Sequence, residues 1–357
     1  MKAYIKSISC ISAQTSFPNT ELDMLILNSS TIKYAIEPNY KDYVNAGNIR
    51  RLNRIIKMAF VTAIDAVSQA NILKPDAIIS GTGKGSLTDT EKFLMNIFQD
   101  QERLLNPVNF INATYNALNG LIGVQYQLSS YCNMFVHRGL SCYSAISDAM
   151  LLLNEDQSQN ILINVYDEIT PDHYFIKSRL EYWKSDPCED RELLKSTSHG
   201  TTAGEGATSM ILSSNKDEAN NEVCLELLGA NNKASTATIS KDLLTFIQTH
   251  KPDLILCGYN GDIRFKEYVS TLQEEYKISV LSWKPLSGEF ETADGFGIWF
   301  GHSILKKGFL DDKYGFLQVN QTHSQPEFKK KIERILIYNH FFGKDHVVYF
   351  MTLETIF

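Results

Sequence analysis

The sequence predicts an α/β protein assembled from two related halves, and three observations carry that prediction. Short apolar, strand-like runs alternate with helical stretches along the chain, the pattern that builds sheets buried between helices. The order helix, Lys-Pro-Asp, strand occurs twice, at 74–79 and again at 251–256. A chain of 357 residues with 43% apolar and 21% charged side chains has the substance for two fused halves with a large core. We expect the halves at residues 1–170 and 171–357.

The elements follow in order. Residues 50–70, rich in Ala and Ile, form a long helix, and after Lys74-Pro75 the run 76–80 is a buried strand. The Gly-rich turn GTGKGS (81–86) leads to a helix over 89–98, and a further helical stretch covers 108–127. Met134-Phe135-Val136 is a strand that breaks at His137-Arg138-Gly139. Ser141 then opens a helix whose apolar face is Ile146, Met150 and Leu153, at i, i+4 and i+7. Strands at 160–165, 206–212 and 223–229 precede a helix at 240–250. Strands at 254–257 and 277–282, a helical run at 292–307 and strands at 335–338 and 347–351 complete the pattern. The polar stretch 177–203 and residues 308–330 read as loops or excursions.

Composition narrows the partners. The charge balance of 34 basic against 41 acidic residues gives −7, and no basic run is interleaved with aromatics, so nucleic acid is not an expected partner. The cysteines at 10, 132, 142, 188, 224 and 257 are scattered without CxxC or metal-ligand spacing, as expected of reduced thiols. The N-terminus lacks the apolar core of a signal peptide, and no apolar run approaches the ~18 residues of a membrane span. These features lead us to expect a cytoplasmic protein. The histidines form no HxxxH or HExxH pair, so neither metal nor cofactor is expected.

The segment 131–153 carries the chemistry. Strand, sharp turn and helix is how acyl-transfer enzymes present a Ser or Cys at a helix N-terminus, where backbone N–H groups stabilise a thiolate or oxyanion. Here the apex is Gly139, which has no side chain. Cys132 lies in the strand before it and Cys142 one residue into the helix, so neither is at the apex, and both read as structural. GTGKGS fails both P-loop and GxGxxG spacing and reads as a tight strand-to-helix turn.

Together these segments resemble a β-ketoacyl-acyl-carrier-protein synthase of the thiolase fold. GTGKGSLTDTEKFL (81–94) is similar to the family's Gly-rich turn and helix, FINATYNALNGLIG (110–123) to its Asn-rich interface stretch, and AGEGATSMIL (203–212) to its GEGA segment, the most specific match. VYDE (165–168) stands for Gly-Gly-Thr-Glu, making Glu168 the family's acidic residue. PDLILCGYNGD (252–262) and KPLSGE (284–289) stand where the two catalytic histidines are carried, and YNHFFGKDH (338–346) is a degraded terminal turn. The resemblance implies a layered α-β-α-β-α fold. It also implies that the cysteine position holds Gly139 and the two histidine positions hold Gly258 and Glu289, while Lys284 is retained. A glycine cannot form a thioester, and a carboxylate would repel a developing enolate.

The VHRG elbow and KPLSGE most resemble chain-length-factor-like subunits of aryl polyene and flexirubin pathways. That resemblance implies a non-catalytic subunit that pairs with an active ketosynthase as a heterodimer, meets an acyl carrier protein only indirectly, and shapes the tunnel for the growing chain. Phe110, Tyr115 and Phe135 are the tunnel candidates, with plain core packing as the other reading. Asn112, Thr114, His137 and Arg138 are the interface candidates. Arg138 could point across the interface or pair with an acid such as Glu168. Two other readings stay open at this stage: a divergent acyltransferase using Cys132 or Cys142 with His137, and a free-standing homodimer that binds acyl chains or a carrier protein.

Overall fold

Alternation of inward and outward residues along the strands builds the layers of this protein. The computed structural model describes residues 1–44, 52–103, 105, 107–155, 159–216, 222–274, 278–319 and 330–354. The expected helix start at 50–51, the first residue of the 277–282 strand and residues 320–329 of the 308–330 excursion lie outside these residues. The first half comprises β1 (Lys2–Ile11), α1 (Arg54–Gln69), β2 (Ala77–Thr82), α2 (Leu87–Gln99), α3 (Pro107–Ala113), α4 (Ala117–Tyr126), β3 (Cys132–Val136), α5 (Ser141–Asn154), β4 (Asn160–Asp167), α6 (Pro171–Arg179) and β5 (Gly206–Ser213). The second comprises β6 (Glu222–Asn232), α7 (Thr236–His250), β7 (Leu254–Cys257), α8 (Glu267–Glu274), β8 (Ser279–Ser282), α9 (Asp294–Lys307), β9 (Arg334–Phe341) and β10 (Asp345–Glu354).

The strands join in the order β8-β7-β9-β10-β6-β1-β5-β4-β2-β3. Read outward from the β1/β6 seam, the two halves have one topology. β2 lies parallel between β3 and β4, as β7 lies parallel between β8 and β9. β5 runs antiparallel between β4 and β1, as β10 does between β9 and β6. The seam is the antiparallel pairing of Lys2–Ile5 with Val223–Glu226.

On β2, Ile78 faces an outer core with α1 and α4, whereas Ile79 faces a central core with α5 and α9. On β7 the same alternation sends Ile255 outward to α7 and α8, and Leu254 and Leu256 inward. The central core joins Ile146, Met150 and Leu153 of α5 to Phe296, Trp299 and Phe300 of α9, so both helices are enclosed between the two halves of the sheet. The result is the layered α-β-α-β-α arrangement. Caps set the helix starts: Asn53, Ser86, Thr170 and Ser235 each accept an N–H from three residues on, at α1, α2, α6 and α7.

Three features were not legible locally. β1 sits beside the seam although its sequence prompted no strand prediction. The 108–127 stretch is two helices, broken where the Thr114 hydroxyl turns back to donate to the Ile111 carbonyl at 2.7 Å. α6 starts between VYDE and the expected 177–203 loop and runs into that loop as far as Arg179, capped by Thr170 with Pro171 at its first position. We propose a dividing line after β5 rather than at 170, because β5 pairs with β4 and β1 of the first half.

Candidate functional site

The elbow forms as its sequence suggests, and its apex is filled. β3 ends at Val136, Arg138 takes a left-handed φ of 47°, and a 3-10 turn over Arg138–Leu140 runs into α5. A positive φ at a non-glycine residue is strained, and here the surroundings hold it. The His137 N–H donates to Ser141 Oγ at 2.8 Å, and that hydroxyl donates to the Thr82 carbonyl at 2.8 Å. Gly139 itself is buried. A Cβ placed on it would come within 2.5 Å of Phe341 Cβ and 2.9 Å of Asp345 Cβ. The space a nucleophile would need is occupied by the β9–β10 hairpin.

Gly258 is occluded in the same way, since a Cβ there would lie 2.0 Å from Asn339 Oδ1. Asn339 and Phe341 are two residues apart on β9 and so share a face. One strand thus fills the space beside both glycines. Glu289 is fully enclosed and ion-paired: Lys284 Nζ lies 2.6 Å from Oε1, and the Asn260 amide donates to Oε2 at 2.7 Å. Burial raises the Glu289 carboxyl above its usual range, opposed by Lys284 and Asn260. The Lys284 ammonium is therefore committed to an internal partner.

Neither thiol of the open alternative is activated. Cys142 is buried, and burial together with the Asp294 charge holds its thiol well above the ordinary value. Cys132 is exposed on β3, and partial burial raises its thiol against a lowering hydrogen bond from Asn119. The GTGKGS turn is also internally satisfied. Asp167 accepts from the Gly83 N–H at 2.9 Å, the Lys84 N–H at 3.2 Å and Thr82 Oγ1 at 3.0 Å, filling the nest a phosphate would use. Asp167 also accepts from the N–H of Thr292 at 3.1 Å, tying the turn to the segment before α9.

Arg138 pairs with Asp345, its guanidinium 3.3 Å from Oδ1, and not with Glu168. Glu168 instead accepts from the N–H and hydroxyl of Thr88, each at 2.9 Å, because α2 starts directly above it. Asp345 is 206 residues from Gly139, so no local pattern pointed to it.

The remaining candidates lie on α3 and the residues after it, on β3 and in the elbow. Phe110 is 54% exposed and Tyr115 48%, and the Phe110 ring lies 5.3 Å from that of Phe93. Tyr115 covers Gly85 of the Gly-rich turn. Thr114, His137 and Arg138 are exposed, Asn112 is half-buried, and Phe135 is half-buried against the central core. β3 is one of the two edge strands of the sheet. Between α4 and the start of β3 lies a cleft of about 420 Å³, lined among others by Gly120, Gly123, Val124, Tyr131 and Cys132. Among the described residues no helix is long and apolar enough to cross a membrane, and no group of three or more His, Cys, Asp or Glu is placed to hold a metal.

Comparison with known proteins bears on this geometry. No curated protein sequence matches the chain significantly. Among solved structures, the ishigamide ketosynthase/chain length factor superposes with a TM-score of 0.76 at 11% identity, covering 99% of both chains. A β-ketoacyl synthase from Burkholderia phymatum gives 0.74 at 12%, covering 99% of this chain and 100% of that one. A type II polyketide ketosynthase solved with its acyl-carrier protein and bound to the hexaketide gives 0.73 at 12%, covering 99% of each. At such identities these likenesses establish the thiolase-like ketosynthase fold alone. The sequence model for the N-terminal domain of β-ketoacyl synthases matches residues 33–234, the span that holds the Gly-rich turn, the elbow and the GEGA segment. More than half of the sequence is thereby matched, and the chain belongs to the β-ketoacyl synthase family.

Proposed function

We propose that this chain is a ketosynthase-like chain-length factor without condensing chemistry of its own. It pairs with an active β-ketoacyl-acyl-carrier-protein synthase and shapes the tunnel that receives the growing chain, in a type II pathway of the aryl polyene or flexirubin kind. The observation that carries this reading is the apex: Gly139 offers no nucleophile, and Phe341 and Asp345 leave no room for one. The buried Lys284–Glu289 pair agrees with it, because a carboxylate beside a developing enolate raises the barrier to condensation. One similar structure is named a ketosynthase/chain length factor, and another contains a type II polyketide acyl-carrier protein.

The partner subunit would cover the edge of β3 together with the exposed apolar side chains of α2 and α3, among them Leu94, Phe98, Phe110 and Ile111. Phe110, Tyr115 and Phe135 would set the tunnel's length, and Asn112, Thr114, His137 and Arg138 would meet the partner. The carrier protein delivers its chain to the partner, so its contact with this chain is indirect.

One observation favours a second reading, an acyltransferase: Cys132 is exposed and lines the cleft beside α4. The deciding experiment is co-expression with a ketosynthase that retains its cysteine and histidines, followed by intact-mass analysis after incubation with an acyl-carrier-protein thioester. The chain-length-factor reading expects acyl mass on the partner alone and elongation only with both chains present. Acyl mass on this chain, lost in Cys132→Ala, would establish the acyltransferase instead.

A further inference from the structure

We propose that the elbow is an anion site whose ligand is the protein's own Asp345 carboxylate, held where an acyl-transfer elbow holds its substrate's oxyanion. In acyl-transfer enzymes a backbone N–H of the nucleophile or of the residue after it points at the developing charge, and further donors complete the cradle. In this chain the Gly139 N–H donates to Asp345 Oδ2 at 3.2 Å. The Arg138 guanidinium donates to Oδ1 at 3.3 Å, and the Asn232 amide donates to the same oxygen. The carboxylate is fully buried, and its three donors come from two separate places in the chain: the elbow, with Arg138 and the Gly139 apex, and Asn232 at the end of β6.

The hairpin explains how the carboxylate arrives there. Phe341 and Asp345 pair across the β9–β10 turn, whose Phe342 and Gly343 take φ of 49° and 65°. The tight turn sets both side chains over the apex, one apolar and one charged. Charge-assisted bonds to a buried carboxylate are stronger than those to a neutral carbonyl. A thioester carbonyl that reached this point would have to displace an anion already bound, so the chain closes its own hole even to a substrate that fits the space. The same bonds hold Arg138 in its positive φ at the exposed tip. The proposal deepens the chain-length-factor reading, but its test does not depend on a partner or on acylation.

The test is anion rescue in the full chain. Asp345→Gly should lower the melting temperature, and sodium formate should restore at least half of the loss in a saturable way, while chloride at equal ionic strength should not. The unaltered chain and Asp345→Asn, whose side chain still fills the cradle, should not respond to formate. A folded Asp345→Gly protein that responds equally to formate and chloride would overturn the proposal. Should that variant not fold, the unaltered chain decides. Arg138-Gly139 is the only Arg-Gly step in the sequence, so labelling Arg carbonyls with carbon-13 and Gly nitrogens with nitrogen-15 isolates one amide signal. The proposal expects that amide to exchange with solvent at least 100-fold more slowly than in an unstructured peptide and to move downfield. Exchange at the unstructured rate, or an unshifted signal, would sink it.

Discussion

The two ends of the sheet are topologically equivalent strands with opposite surroundings. β8 closes the second half and is covered: Leu281 bridges to Gln318, the Val319 N–H donates to the Val280 carbonyl at 3.0 Å, and three of its four residues are buried. β3 closes the first half, pairs on one side with β2, and has exposed residues at both ends and none fully buried. Exposed edges with apolar neighbours are aggregation hazards unless something covers them. The difference teaches where this chain has kept an open surface. Its interior is packed closed around Gly139, Gly258 and Glu289, whereas among the described residues the outer edge of β3 has no strand beside it.

The contrast can be broken most severely from the covered end. Leu281→Asp puts an unpaired charge into the core and should cost about 4 kcal/mol or more, so that little folded protein is recovered on expression. A stable, folded Leu281→Asp chain would mean that the β8 edge is as tolerant as β3. Next comes the filled centre. Glu289→Gln strips the buried Lys284 of its counter-charge and should cost about 3–5 kcal/mol in urea unfolding, whereas Lys284→Met with Glu289→Leu should be close to neutral. If the double variant is as unstable as the single, the pair contributes more than mutual neutralisation.

Gly139→Ala tests the apex itself. With Phe341 and Asp345 in place, the added methyl should cost about 1–3 kcal/mol, and Phe341→Ala should relieve part of the strain. An equally stable Gly139→Ala chain would mean that the hairpin moves aside readily. At the open end, Val136→Lys should change the isolated chain by no more than about 0.5–1 kcal/mol, yet lower its association with a ketosynthase partner at least tenfold by sedimentation or titration. Loss of folding rather than of association would remove β3 from the list of open surfaces.

The smallest effect is on pH dependence. Burial and the neighbouring Glu291 raise Asp167 to about 7, while in the unfolded chain it titrates near its ordinary value of 3.8. The folded state therefore holds the extra proton between those values, and this group's contribution to stability falls as pH rises through that window. Asp294, raised by burial to about 6, acts in the same direction. Buried His302 and His346, lowered by burial to about 3 and about 4, act oppositely: their contribution grows as pH rises from those values through the ordinary histidine range. Asp167→Asn should thus make stability climb more steeply between about pH 4 and 6.5 by denaturant titration. An unchanged slope would show that Asp167 is ionised across that range.

Much of the site was legible because its parts are local. Strand, Arg138-Gly139 turn and amphipathic helix could be read from spacing alone, and Glu289 follows its partner Lys284 by five residues. The fate of Arg138 was not legible, since both its suggested acid, Glu168, and its real one, Asp345, are distant in sequence. β1 was missed for a similar reason: its place between β5 and β6 rests on pairing with strands about 200 residues away.

The amino-acid sequence by itself determined the alternation of strands and helices, the side-chain-free apex and the family to which the chain belongs, because all three are written in neighbouring residues and their periods. Only the tertiary structure decided that the apex is full rather than vacant, that one face of β9 packs against both Gly258 and Gly139, and that one sheet edge is covered while its counterpart is open. Those outcomes depend on which distant segments meet, and burial and charge pairing between such segments have no period along the chain.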